Sequence, residues 1–250
     1  MMKTPEQLKG AIRNLAKKKG IHAQEVLQIF MFERIIERLS VSPYKDRFIL
    51  KGGLLISAIL GVAERTTMDM DTTVKGLPMD EQSIRKAISE ILDQPVDDGI
   101  EFQLLDLTPI REDDEYENFR ASIQATYGKM KIPMKIDITT GDEITPKEIQ
   151  FSYPFLFDDR RVMVKAYTQE TILAEKYETI IRRNVGNTRA RDSLSVLQDT
   201  KRILLALKES TVLQDLWKRY QAQNLYAREI TYPAIMETVK EFTEKMNFYR

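Results

Sequence analysis

Two carboxylates stand two residues apart in the stretch Arg65-Thr66-Thr67-Met68-Asp69-Met70-Asp71-Thr72-Thr73-Val74, whose residue types read as a β-strand. Side chains on a strand alternate, so Asp69 and Asp71 share one face while Met68, Met70 and Thr72 turn toward packing. Two anions held this close repel. A divalent cation is the usual remedy, and an oxygen-only ligand set suits Mg2+ or Mn2+ rather than zinc. An Asp-x-Asp taken alone also occurs as an ordinary pair of surface acids. A third acid, Asp137, lies in Met134-Lys135-Ile136-Asp137-Ile138-Thr139, flanked by isoleucines in a β-branched segment. A carboxylate there is costly unless something pairs with it or the strand turns it outward. If the two strands are neighbours, Asp137 completes a carboxylate cluster as metal ligand and as general base toward an attacking hydroxyl.

Upstream, Phe48-Ile49-Leu50-Lys51-Gly52-Gly53-Leu54-Leu55-Ile56-Ser57 reads as a short apolar strand, a glycine pair and a helix running to about Leu60. Glycines at such a junction let backbone amides approach a phosphate, the helix start contributes its positive dipole end, and Lys51 adds a full charge. A plain turn also fits Gly-Gly. The order of Gly-Gly, helix and Asp-x-Asp strand is that of a nucleotide site with triphosphate on one side and metal on the other. Far downstream, Lys176, Arg182, Arg183, Arg189 and Arg191 fall within a short span, a density suited to phosphate recognition. Lys176 and Arg183, seven apart, project from nearly one helix face.

The elements that must position these groups follow from periodicity. Helices are expected at residues 5–19, with Lys17-Lys18-Lys19 and Gly20 closing the first, and from Ala23 to about Leu39. Another runs from Asp80 to Leu92, with Ile84, Ile88 and Ile91 in register. Strands are expected at Glu101 to Leu107, Phe119 to Tyr127, Met130 to Thr139 and around Val162 to Val164. From Thr168 the pattern turns helical: to about Val185, Arg189 to Leu207, Thr211 to Gln223 and Pro233 to Asn247. Leu173, Leu205 and Leu216 stand on the expected inner faces. The expected class is α+β, a mixed sheet flanked by helices over 1–165 and a helical bundle domain over 166–250.

Composition narrows the chemistry. The chain has 250 residues, 38 Lys and Arg against 38 Asp and Glu, no cysteine and one histidine, His22. Disulfides, thiol catalysis and Cys-based zinc sites are excluded, and a Ser-His-Asp triad could be built only around His22, which reads as a helix-start or surface residue. No apolar run approaches the roughly 18 residues of a membrane span, and the N-terminus lacks a signal-peptide pattern, so a cytoplasmic location is expected.

With these motifs assembled, the sequence resembles the AbiEii-like nucleotidyltransferase toxins of the DNA polymerase β-like superfamily. The resemblance is carried by Leu50-Lys51-Gly52-Gly53, Arg65-x-Thr67-x-Asp69-x-Asp71, Asp137, Ala174-Glu175-Lys176, Arg183 and Arg191-Asp192. It implies transfer of a nucleoside monophosphate from an NTP, with a tRNA 3′ end as acceptor and a cognate antitoxin as partner, in abortive infection and phage defence. It further implies that Gly52, Gly53 and Ser57 hold triphosphate, that Asp69 and Asp71 hold Mg2+ with Asp137 as third acid, and that Lys176 and Arg183 bind nucleotide or acceptor phosphates. Lys51, Arg65, Thr67 and Asp192 complete the implied nucleotide-binding set. One departure is Ser195, which stands where the family usually has a second acid after its Arg-Asp pair. Three alternatives remain open at this stage: a glycosyltransferase using its own Asp-x-Asp, a small-molecule nucleotidyltransferase of the aminoglycoside-modifying kind, and a catalytically silent scaffold that binds a partner.

Overall fold

Thr4 opens the first helix because its hydroxyl accepts from the Gln7 N–H at 3.4 Å while the Gln7 side chain accepts from the Thr4 N–H at 3.1 Å, a reciprocal cap ahead of Pro5. This helix, α1 (Pro5–Lys19), ends at Gly20, whose φ of 67° is the left-handed stop. The protein is described here by a computed structural model covering residues 4–110, 118–140, 144, 146–175, 204–205, 207–223 and 227–247. Helix α2 (Ala23–Val41) follows, with exposed His22 at its N-cap as expected. Then come β1 (Phe48–Lys51), α3 (Gly52–Leu60), β2 (Met70–Val74) and α4 (Glu81–Leu92). Asp80 caps α4 by accepting from the Ser83 N–H at 2.8 Å.

The remaining strands are β3 (Glu101–Pro109), β4 (Phe119–Tyr127), β5 (Met130–Thr139), β6 (Ile149–Pro154) and β7 (Arg161–Ala166). Helical residues 169–175 follow. Two later helices are α5 (Thr211–Gln223) and α6 (Tyr232–Asn247). The expected α+β class therefore holds.

The seven strands form one mixed sheet in the order β3-β4-β5-β2-β1-β7-β6. Strands β2 and β5 run parallel, as do β1 and β7, while the other neighbours are antiparallel. Alternation on β4 and β5 is strict: Phe119, Ala121, Ile123 and Ala125, with Ile132, Met134, Ile136 and Ile138, are buried. They join one core with Leu8 and Ile12 of α1, most of α2, and Ile84, Ile88 and Ile91 of α4. The even-numbered residues of β4 and the odd-numbered residues of β5 lie on the opposite face.

Several expectations change. The Asp-x-Asp strand begins only at Met70, and Met68 is 44% exposed because the bend before β2 breaks the alternation. Strand β6 has no counterpart in the sequence-based assignment, although Phe151 and Tyr153 show period two before Pro154. Leu173, Leu205 and Leu216 are 54%, 56% and 51% exposed, since helical periodicity tells which residues share a face and not what covers it.

The chain divides into two compact units, Met1–Ile172 and Leu173–Arg250. In the second, Leu207 and Met236 are buried, the Tyr232 hydroxyl donates to the Leu207 carbonyl at 2.6 Å, and the Trp217 indole donates to the Ile230 carbonyl at 2.8 Å. Among the described residues no helix is long and apolar enough to cross a membrane.

Candidate active site

The site is built from cross-strand register. Lys51 on β1 is opposite Asp71 on β2, Asp71 is opposite Asp137 on β5, and Asp137 is opposite Arg120 on β4. Directly paired residues on neighbouring strands project from the same face, so a charged row crosses four adjacent strands, two anions flanked by a cation on each side. Ile136 and Ile138 point into the core, which turns Asp137 to the other face. The expected adjacency of the Asp71 and Asp137 strands is present.

Strand β1 runs straight into α3 at Lys51-Gly52, and the two glycines there have a specific steric reason. Gly52 has φ of 65°, and a Cβ on it would overlap the Asp71 carboxylate. A Cβ on Gly53 would stand 2.8 Å from the Thr67 hydroxyl oxygen and 3.8 Å from Arg65 Nη2. The space a side chain would fill is thus taken by Asp71 and Thr67, which lets the acid strand close against the helix start. The N-cap of α3 is Lys51, whose side chain makes no capping hydrogen bond, and the Asp71 carboxylate lies against Gly52 in the first turn, where the N-terminal dipole favours an anion.

Around this junction hydrogen bonds hold several of the side chains. The Thr67 hydroxyl donates to the Asp69 carbonyl at 3.1 Å, fixing the bend that presents Asp69 just before β2. The Thr66 hydroxyl donates to Glu25 at 2.8 Å, tying that bend to the first turn of α2. Thr72 donates to the Asp137 carbonyl at 3.1 Å and Thr139 to the Thr72 carbonyl at 3.2 Å, so the two acid-bearing strands are also linked through side chains. The Lys51 ammonium lies 5.3 Å from the centre of the Tyr167 ring, whose hydroxyl is 2.8 Å from Thr73 Oγ1.

Arg120 grips Asp137 in a bidentate pair, Nε to Oδ1 and Nη2 to Oδ2, both at 2.7 Å. The Asp137 carboxylate raises the pKa of the guanidinium above its ordinary value, and the negative charges of Asp69 and Asp71 add to the effect. Ser57 is buried on α3, and its hydroxyl has no hydrogen-bond partner among the described residues.

The structure therefore brings together Lys51, Gly52, Gly53, Arg65, Thr67, Asp69, Asp71 and Asp137, with Ser57 buried further along α3. Lys176, Arg183 and Asp192, together with Arg182, Arg189, Arg191 and Ser195, lie outside the described residues. Sequence reasoning missed Arg120, Tyr167 and Glu25. For Arg120 a signal existed: it is the only charged side chain among the outward positions Arg120, Ser122, Gln124 and Thr126 of β4.

The donor chemistry of Asp69 and Asp71 suits a hard divalent cation. Both oxygens of Asp137 are engaged by Arg120 instead, and among the described residues no group of three or more acids or histidines is set to hold a metal.

The sequence model for the nucleotidyl transferase AbiEii toxin of Type IV toxin-antitoxin systems matches residues 34–194, well over half of the chain. The chain belongs to the AbiEii family. The match begins in α2 and contains the whole carboxylate row, so the AbiEii assignment and the site coincide on the same residues. The protein is accordingly a nucleotidyltransferase. Among curated proteins none matches.

Solved structures that are similar to this AbiEii member include a proposed nucleotidyltransferase from H. pylori, at 13% identity and a TM-score of 0.45, covering 90% of this chain and 99% of that one. JHP933 from Helicobacter pylori is 14% identical with a TM-score of 0.44, over 90% and 96% of the two chains. An antigenic nucleotidyltransferase-like protein from Paracoccidioides brasiliensis is 14% identical with a TM-score of 0.34, over 95% and 94%.

Proposed function

We propose that this protein transfers a nucleoside monophosphate from an NTP to a hydroxyl of a tRNA 3′ end, as the toxin half of a cytoplasmic toxin-antitoxin pair active in abortive infection. The observation that carries the reading is the in-register row Lys51, Asp71, Asp137 beside the glycine junction that opens α3. In the reaction the acceptor hydroxyl oxygen bonds to the α-phosphorus in line, the bond between the α-phosphorus and the bridging oxygen breaks, and pyrophosphate leaves.

The backbone amides of Gly52 and Gly53, at the start of α3, are assigned to the triphosphate, with Lys51 as the neighbouring charge and Arg65, Thr67 and Ser57 supporting that cradle. Asp69 and Asp71 are the assigned holders of Mg2+ or Mn2+, which when bound supplies electrostatic stabilisation to the transferring phosphoryl group. Asp137 is assigned as the third acid and as the group that takes the acceptor proton. Lys176, Arg183 and Asp192 are assigned to nucleotide or acceptor phosphates on the strength of the family resemblance. The tRNA acceptor and the antitoxin rest on the same ground.

Wild type and the Asp69→Ala/Asp71→Ala double variant should be incubated with Mg2+, each labelled NTP and total tRNA. Wild type is expected to label RNA with one or more NTPs, and the double variant to fall by at least about a thousandfold. Equal labelling by the two proteins would remove Asp69 and Asp71 from the reaction.

A further inference from the structure

A three-acid site needs its positive charge at Asp137, and the protein already places one there. Both Asp137 oxygens accept from a single guanidinium at 2.7 Å, in the planar fork geometry that matches a carboxylate. The two residues are cross-strand partners, so the pairing is built into the register of β4 and β5 and needs no loop to form it. Asp137 is 18% exposed and Arg120 is 41% exposed, so the acid is held inside the row while the Arg120 side chain reaches solvent.

We infer that Arg120 is an internal counter-ion that competes with the divalent cation for Asp137, weakening cation binding in the nucleotide-free protein. The inference rests on the proposed assignment of the acids as the metal site. Arg120 acts through Asp137 and is a positioning residue. Its guanidinium neutralises the row while no cation is present, and it must give up at least one Asp137 oxygen before three carboxylates can face one ion. A purely structural ion pair between β4 and β5 would leave cation affinity unchanged when removed. An arginine that serves only to bind phosphate would weaken nucleotide binding and leave cation affinity unchanged as well.

The test reads Mn2+ binding to the nucleotide-free protein, by calorimetry and by the loss of the free Mn2+ spin-resonance signal, in wild type, Arg120→Gln, Arg120→Lys, Asp137→Asn, the Arg120→Gln/Asp137→Asn double variant and the Asp69→Ala/Asp71→Ala double variant. Arg120→Gln is expected to bind Mn2+ about tenfold more tightly than wild type, the scale of one charge-assisted pair. Arg120→Lys, which keeps the charge but loses the fork, is expected in between, and it carries the test if Arg120→Gln folds poorly by circular dichroism. On the Asp137→Asn background, Arg120→Gln is expected to give no further tightening. Mn2+ affinity unchanged in Arg120→Gln or Arg120→Lys, but lost in Asp69→Ala/Asp71→Ala, overturns the Arg120 inference and leaves the metal assignment standing. No Mn2+ binding by any of these proteins, with or without a non-hydrolysable NTP analogue, overturns both.

Discussion

Gly52 shows how much of the site rests on an absent atom. Its φ of 65° is one that a residue with a Cβ enters at a cost of about 1–2 kcal/mol, and the added carbon would displace the Asp71 carboxylate as well. Gly10 is the contrast: it lies inside α1 with nothing within 4 Å of the point where a Cβ would stand, so alanine there restricts only the unfolded chain and favours the helix. Gly10→Ala should therefore stabilise by about 0.5–1 kcal/mol in urea unfolding with transfer unaffected. Gly52→Ala should destabilise by about 2 kcal/mol or more and reduce nucleotide transfer on the order of a hundredfold. Equal behaviour of the two variants would mean that the close approach of Asp71 to Gly52 is not required.

The element that most constrains the rest is α2, which carries charge into the core as well as apolar surface. Arg38 holds Asp98 at 2.7 and 2.9 Å and the Ile100 carbonyl at 2.8 Å, anchoring the entry to β3. Glu33, on the same helix, is buried; one oxygen accepts from the Leu156 N–H at 2.9 Å, while the other has Arg34 Nη2 at 3.8 Å and no hydrogen bond. Burial pushes the Glu33 pKa well above its ordinary 4.5, and Arg34 only partly offsets this. The folded state thus keeps the proton to higher pH than the unfolded chain does. Below the ordinary glutamate range both states are protonated and nothing is lost; as pH rises through the folded-state value, stability falls. Glu33→Gln keeps the acceptor for Leu156 and removes the titration. Its Tm relative to wild type should lie near zero around pH 4.5 and climb by roughly 2–4 °C by pH 8. A difference that stays flat or shrinks as pH rises contradicts this account of the buried acid.

For the whole molecule, the main core draws its buried residues from Leu8 through Ile172, all within the unit Met1–Ile172. A fragment ending at Ile172 is expected to unfold cooperatively in urea, with the β-sheet signature of the full chain. It lacks Lys176, Arg183 and Asp192, so it should transfer no nucleotide while retaining Mn2+ binding at Asp69 and Asp71. Transfer by this fragment at the rate of the full chain would remove the three downstream residues from the proposed site. A fragment that fails to fold would show that the second unit is needed for the core of the first.

Most element boundaries were legible because their causes are local. Pro5 near its start and the Gly20 stop bound α1, and period-two alternation delimits β4 and β5. Strand β6 carried the same kind of signal in Phe151 and Tyr153 over only six residues, next to a proline. At the site, the sequence by itself determined the residue types on offer and their spacing: two acids two apart, a third between isoleucines, and a glycine pair ahead of a helix. Only the tertiary structure decided which strands are neighbours. Strand order brings Asp137 beside Asp71, and register then aligns both with Lys51 and Arg120. Local propensity acts over a few residues, whereas pairing across a sheet depends on burial of a whole face at once. That is why Asp137 could be recognised as an acid in need of a partner, while the partner, Arg120, had to be found in the fold.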